Sequence, residues 1–216
     1  MIKLLNILKE TQILVPRRSP EERQNNYQIA LQKKIQQYIK GGSKGNLDLS
    51  DTPTKSLPNG LTVGGFLNLR NTPIQSLPDD LEVRGGLDLG YTQIQSLPNN
   101  LTVGGFLNLV DTPIQSLPND LKVRGDLWLN SSQIQSLPNG LKVRDSLWLA
   151  DTSIQSLPND LKVGGNLYLN NTPIQSLPNG LKVGGDLYLF NTPLSEKFTE
   201  EEIKAMVPGV KRNIYF

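Results

Sequence analysis

From Gly45 onward the chain repeats itself every 20 residues, without an insertion through seven periods. Ser-Leu-Pro recurs at Ser56, Ser76, Ser96, Ser116, Ser136, Ser156 and Ser176, and the consensus unit is Leu-Pro-x-x-Leu-x-Val-x-Gly-x-Leu-x-Leu-x-x-Thr-x-Ile-x-Ser. One such unit is too short to enclose a core, so its apolar positions are buried only by stacking each coil on the next. The repeat therefore predicts a mostly β solenoid of eight to nine coils over residues 45–194, with parallel strands. Solenoids present long surfaces, which favours recognition over chemistry before any side chain is considered.

Within a unit, Leu161, Val163, Gly165, Leu167 and Leu169 alternate with period two and share one face of an extended segment. That face is predicted to point inward, with Gly165 where neighbouring coils approach closely. Leu-Pro-Asn-Gly and Leu-Pro-Asn-Asp read as tight corners with Pro at the second turn position. Strands stacked about 4.8 Å apart give a core about 40 Å long.

Residues 1–44 lack the repeat and read as a helical N-terminal cap. Ile2, Leu5 and Leu8 mark one short helix, and Val15-Pro16-Arg17-Arg18 marks a bend. Ser19-Pro20-Glu21-Glu22 is then a capping box that opens a longer helix, with Tyr27, Ile29, Ala30, Leu31, Ile35 and Ile39 as its apolar side and Gly41-Gly42 as its stop. Residues 195–216 read as a C-terminal cap, with a helix over 199–207 behind a second capping box and a final strand over 210–216 closing the sheet. Solenoid ends need such covers because they expose core and unpaired strand edges.

The half-repeat Leu167-x-Leu169-x-x-Thr172-x-Ile174 resembles the Leu-x-Leu-x-x-Asn-x-Leu segment of leucine-rich repeats. With Leu-Pro corners and a 20-residue period, residues 45–194 look most like the short repeats of bacterial effector proteins, which a helical pair also precedes. The near-identity of the units also resembles repeat proteins of bacterial viruses. Two positions depart from the pattern. Thr or Ser132 replaces Asn, so any internal polar ladder is made of hydroxyls, and the Leu-x-Val segment is a candidate second strand that flattens the coil. Ligase-type effectors carry a catalytic Cys; this chain has no Cys, so that activity does not carry over.

The chain also lacks His, which with the missing Cys removes disulfides, thiolate and imidazole metal sites and His-based catalytic dyads; no cofactor is expected. No apolar run reaches the roughly 20 residues of a membrane span, and the N-terminus is a poor signal peptide, so an intracellular location is expected, in its own cell or as a virus-encoded or effector protein in a host. Residues 1–44 hold nine Lys/Arg and three Glu, a net +6, while the other thirteen Lys/Arg and seventeen Asp/Glu give −4. The basic leader reads as the solvated face of a cap helix.

In a solenoid each repeat position becomes a column. The residue between the two strand leucines points outward: Asp48, Asn68, Asp88, Asn108, Trp128, Trp148, Tyr168, Tyr188, and Tyr215 in the final strand. The column turns from acid and amide to aromatic halfway along, giving an exposed strip about 20 Å long. We read Trp128, Trp148, Tyr168, Tyr188, Tyr215, Asn108 and Asp88 as the binding face of a non-enzymatic interaction module. A protein partner is expected first, since Trp and Tyr dominate protein hot spots. Self-association through the strip and carbohydrate stacking are alternatives, and nucleic acid is third. Lys122, Lys142, Lys162 and Lys182, with Arg124 and Arg144, read as a solvated mixed-charge edge beside Asp120, Asp126, Asp145 and Asp160. A polysaccharide-active enzyme is the least favoured reading: Asp48 and Asp88 lie about 9.6 Å apart by strand spacing, but on a face without a loop to form a pocket.

Overall fold

A computed structural model describes residues 19–216, so the short helix expected around Ile2, Leu5 and Leu8 and the bend at 15–18 lie outside the described residues. The chain divides into two compact units, residues 1–34 and 35–216. Helix α1 (Pro20–Lys40) opens with the Ser19 capping box: the Glu22 N–H donates to Ser19 Oγ at 3.1 Å, and the Ser19 N–H donates to Glu22 Oε2 at 2.8 Å. Its stop is a Schellman arrangement. Gly42 adopts φ 84°, its N–H donates to Ile39, and the Ser43 N–H reaches back to the Tyr38 carbonyl. The expected apolar side of α1 is narrower than predicted. Leu31 and Ile35 are buried, whereas Tyr27, Ile29, Ala30 and Ile39 are exposed; Ile29 and Ala30 lie off the stripe, and Tyr27 and Ile39 continue it at a spacing of four but stay uncovered.

Residues 35–216 hold two all-parallel sheets. The first has nine two-residue strands, from Leu47–Asp48 through Leu67–Asn68, Leu87–Asp88, Leu107–Asn108, Leu127–Trp128, Leu147–Trp148, Leu167–Tyr168 and Leu187–Tyr188 to Ile214–Tyr215. From Leu47 to Leu187 every pairing joins residues one period apart, such as Leu147 with Leu127 and Leu167, so the register is the repeat itself; only the closing pair, Leu187 with Ile214, departs from it. The Leu-x-Val segments do form a second sheet of seven strands, Thr62–Val63 to Lys182–Val183. The two sheets meet at the bend around Gly64–Gly65 and its repeats. Leu67, Leu87, Leu107, Leu127, Leu147, Leu167 and Leu187 are fully buried, as are the Leu69 and Ile74 columns. Burying each such side chain contributes about 1.5–3 kcal/mol, and repetition makes the sum large.

The tail serves both sheets. Val210 bridges to Val183 of the second sheet, and Ile214–Tyr215 pairs with Leu187–Tyr188 of the first. Between them and the last coil sit α2 (Pro193–Lys197) and α3 (Glu200–Met206), each opened by a capping box, Thr192 with Ser195 and Thr199 with Glu202. Helix α2 lies ahead of the helix expected over 199–207, and Pro193 after the Thr192 cap is what starts it.

One local expectation needs correction. The corner bond runs from the N–H of Leu81 to the carbonyl of Pro78, and likewise at Leu101, Leu121, Leu141 and Leu181. Pro therefore occupies the first turn position and Asn or Asp the second, with the third in the left-handed region at Gly60, Asn100, Gly140, Asp160 and Gly180. The buried Thr hydroxyls build no ladder between coils. Each donates within its own coil to the carbonyl three residues back, as Thr112 Oγ1 does to Leu109 at 2.7 Å and Ser132 Oγ to Leu129 at 2.6 Å.

Candidate functional site

The first sheet projects one column of side chains away from the leucine core because strand residues alternate faces. Along its N-terminal half this column is polar and occupied with itself. Asp48 Oδ1 accepts from the Ser50 N–H and hydroxyl. Asp88 Oδ1 accepts from the Gly90 N–H at 2.9 Å and from Asn108 Nδ2 at 2.9 Å, while Asn108 Oδ1 accepts from the Val110 N–H at 2.9 Å. Asn108 is only 3% exposed, which corrects its expected place on an accessible face: flanking side chains and its own hydrogen bonds enclose it. Asp88 is half-buried with one carboxylate oxygen taken up.

The aromatic half is a stack seen edge-on. Trp148 lies on Tyr168 with ring centroids 3.6 Å apart, Tyr168 on Tyr188 at 4.4 Å, and Tyr188 on Tyr215 at 4.8 Å, the planes within 13–16° of parallel. Because the rings pile up along the stacking direction of the coils, their faces cover one another and their edges point to solvent. Trp128, Trp148, Tyr168 and Tyr188 are half-buried rather than freely exposed, and Tyr215 at the end of the stack is 38% exposed. Asn166 Nδ2 donates to the Tyr168 hydroxyl at 3.0 Å and Asn213 Nδ2 to the Tyr215 hydroxyl at 3.2 Å, fixing the phenol edges.

The strip is not continuous. Trp128 stacks on Phe106 at 4.9 Å, and Phe106 meets Phe66 at 5.5 Å, which makes a second cluster. Phe66 and Phe106 lie in the column before the strand leucines, and Phe190, 6.5 Å from Tyr188, lies two residues beyond the Tyr column. None of the three belongs to the expected binding column; their signal in the sequence is an aromatic residue one or two columns from the strip. Two buried side-chain polar atoms lack a hydrogen-bond partner among the described residues, Trp148 Nε1 and Asn130 Oδ1. The burial of Tyr188 pushes its phenol above the ordinary tyrosine value of 10.0; the charges of Tyr168, Asp186 and Tyr215 push the same way.

Among the described residues no group of three or more Asp or Glu is placed to hold a metal ion, and no helix is long and apolar enough to cross a membrane.

These features define a leucine-rich-repeat solenoid with a helix before it and short helices after it. The chain matches no family model and no curated protein. Its structure is similar to the leucine-rich-repeat domain of a Shigella effector, with a TM-score of 0.63 and 18% identity over 93% of this chain and 91% of that one. It also matches YopM, a leucine-rich effector protein from Yersinia pestis, with a TM-score of 0.45 and 16% identity over 82% of this chain and 68% of that one. The likeness to the Shigella domain shows a shared fold, the leucine-rich-repeat solenoid.

Proposed function

We propose that this protein is a non-enzymatic interaction module that binds a protein partner through the outer face of its nine-stranded sheet, with Trp128, Trp148, Tyr168, Tyr188 and Tyr215 as anchors. The observation that carries this reading is the edge-on stack. Four rings in consecutive strands leave a ridge of aromatic edges and phenol hydroxyls in water, where a partner's apolar groove gains burial, with hydrogen bonds at the tyrosine tips. The rings are already stacked, so binding freezes few additional side-chain rotors. Sugars and bases need open ring faces to stack upon, and here every face within the stack is covered by the next ring. That geometry favours protein over carbohydrate or nucleic acid.

The test compares wild type with a Trp148→Asn, Tyr168→Asn double variant, Asn being the residue this column already carries at positions 68 and 108. Circular dichroism checks that both fold. Each is immobilised to capture proteins from an extract, probed on a glycan array, and sedimented for self-association. Proteins retained by wild type and released by the variant support the reading. Glycan binding, or a monomer–dimer equilibrium lost in the variant, replaces it with the carbohydrate or self-association reading. Equal capture by both removes the strip as the anchor.

A further inference from the structure

The second sheet carries a surface of different chemistry, beyond the reading just given. An open groove of about 1020 Å³ runs across its C-terminal strands. Lys122, Lys142, Lys162 and Lys182 line it from four consecutive coils, each exposed and each beside an inward Val. Two residues on, Arg124, Arg144 and Lys211 line it as a second row, and at the coils between them this row is Gly164 and Gly184. Strand geometry sets the lysines about 4.8 Å apart along the row and the two rows about 6.6 Å apart. The same column is Thr62, Glu82 and Thr102 in the first three strands, so the positive row begins abruptly at Lys122.

The expected mixed-charge edge does not form as ion pairs. The one ion pair among the described residues is Lys204 with Glu200, on α3, and Asp120 is the single acid lining the groove. Like charges this close repel unless something neutralises them, and here seven cations share the space with one carboxylate.

We propose that this groove binds an extended acidic segment of a protein, a run rich in Asp and Glu. Charge complementarity sets the sign of the occupant, and the spacing sets its form. An extended chain places alternate side chains about 6.6 Å apart, matching the row separation, and flexible lysine heads take up the remainder. Gly164 and Gly184 leave bare backbone on the floor where the second row would otherwise carry side chains, so a main chain can lie there. The lining residues include no aromatic ring, which removes the stacking that holds single-stranded nucleic acid.

The probe is a fluorescein-labelled oligoglutamate peptide, followed by anisotropy. Binding is expected that weakens steeply up to about 0.5 M salt. A Lys142→Ala, Lys162→Ala, Lys182→Ala variant should bind at least about fivefold more weakly, summing three partly exposed pairs. A Lys55→Ala, Lys197→Ala, Arg212→Ala control removes the same charge elsewhere and should bind like wild type. A second measurement needs no variant: acetylation of the native protein, mapped by mass spectrometry, should show Lys142, Lys162 and Lys182 protected by the peptide. Equal loss in the control, or protection spread over all lysines, overturns the proposal, as does tighter binding of an oligothymidylate of matched charge. Neither readout involves the aromatic strip, so this proposal and the proposed function fail separately.

Discussion

Trp128 and Trp148 are register partners on adjacent strands, yet their rings turn to different neighbours: Trp128 stacks on Phe106 and Trp148 on Tyr168. The break between the two clusters coincides with the buried, unpartnered indole N–H of Trp148 and Oδ1 of Asn130. A buried donor without a partner costs about 1–3 kcal/mol, so this junction is a local weakness that the stacking on Tyr168 offsets.

Trp148→Phe keeps an aromatic face on Tyr168 and removes the unpartnered N–H. It is expected to leave stability unchanged or slightly raised. Trp148→Ala loses the stacking too and should cost about 1–3 kcal/mol, below the full value for a buried Trp because the ring is half-exposed. Urea denaturation distinguishes them; a Phe variant as unstable as the Ala variant shows that the indole N–H has a partner.

The Thr column makes a cleaner test. Thr112 is 2% exposed and donates to the Leu109 carbonyl. Thr112→Val keeps the shape and removes the donor, leaving a buried carbonyl short of one bond, at a cost of about 1–2 kcal/mol. Thr112→Ser keeps the donor, as Ser132 does naturally, and should cost less. If Val is as well tolerated as Ser, the hydroxyl is not a structural element of the coil.

What was legible in the chain follows from periodicity. Leucines at a fixed 20-residue interval with period-two alternation have a single way to be buried together, so fold, register and the outward column could all be read. Features that depend on backbone detail could not. Asp51, Asn71, Tyr91, Asp111, Ser131, Asp151, Asn171 and Asn191 all adopt φ between 53° and 59°, a left-handed position that accounts for the Asn and Asp there and that Tyr91 and Ser131 disguise in the sequence. The split of the aromatic strip depends on which way each ring turns, and column position does not encode that. The close approach expected at Gly165 recurs along its column, where a Cβ at Gly85 would lie 2.6 Å from the Gly65 carbonyl carbon. Asp145 occupies the same column with an exposed side chain and no left-handed φ, so glycine is not demanded at every coil.

Glycines of two kinds should therefore respond differently. A Cβ at Gly184 would fall on the Gly164 carbonyl oxygen, so Gly184→Ala must shift the backbone locally and should cost about 1–3 kcal/mol. Gly140 has φ 75° and nothing within 4 Å, and its column holds Asn100 and Asp160 at φ 64° and 58°. Gly140→Asn should be nearly neutral. Thermal denaturation of the two variants reverses this order only if close packing of the coils is unimportant.

We propose that the end of α1 caps the first coil through Tyr38. Its hydroxyl lies 2.9 Å from the carbonyls of both Ser43 and Gly45 and accepts the Gly64 N–H at 3.2 Å. Tyr38→Phe leaves the ring and removes all three contacts. Amide exchange should then quicken at Gly64 and Leu67 and stay unchanged around Leu187. Uniform quickening along the solenoid shows that the hydroxyl has no local capping role.

The tyrosine stack gives the fold an alkaline signature. Burial of Tyr188, then its charged neighbours, raises its folded pKa above the ordinary 10.0 of the unfolded chain. The folded state therefore holds the phenolic proton more tightly than the unfolded state. The resulting stability is fully present below pH 10 and is lost as pH rises through the folded value. Following phenolate absorbance, a phenol that ionises above the ordinary tyrosine value should be seen, and urea stability should begin to fall above about pH 10. Tyr188→Phe removes the late-ionising group together with its share of that fall, while the stacking on Tyr168 and Tyr215 survives in the phenyl ring. If the same late phenolate persists in Tyr188→Phe, the raised group lies elsewhere and Tyr188 is more open to water than its place in the stack implies.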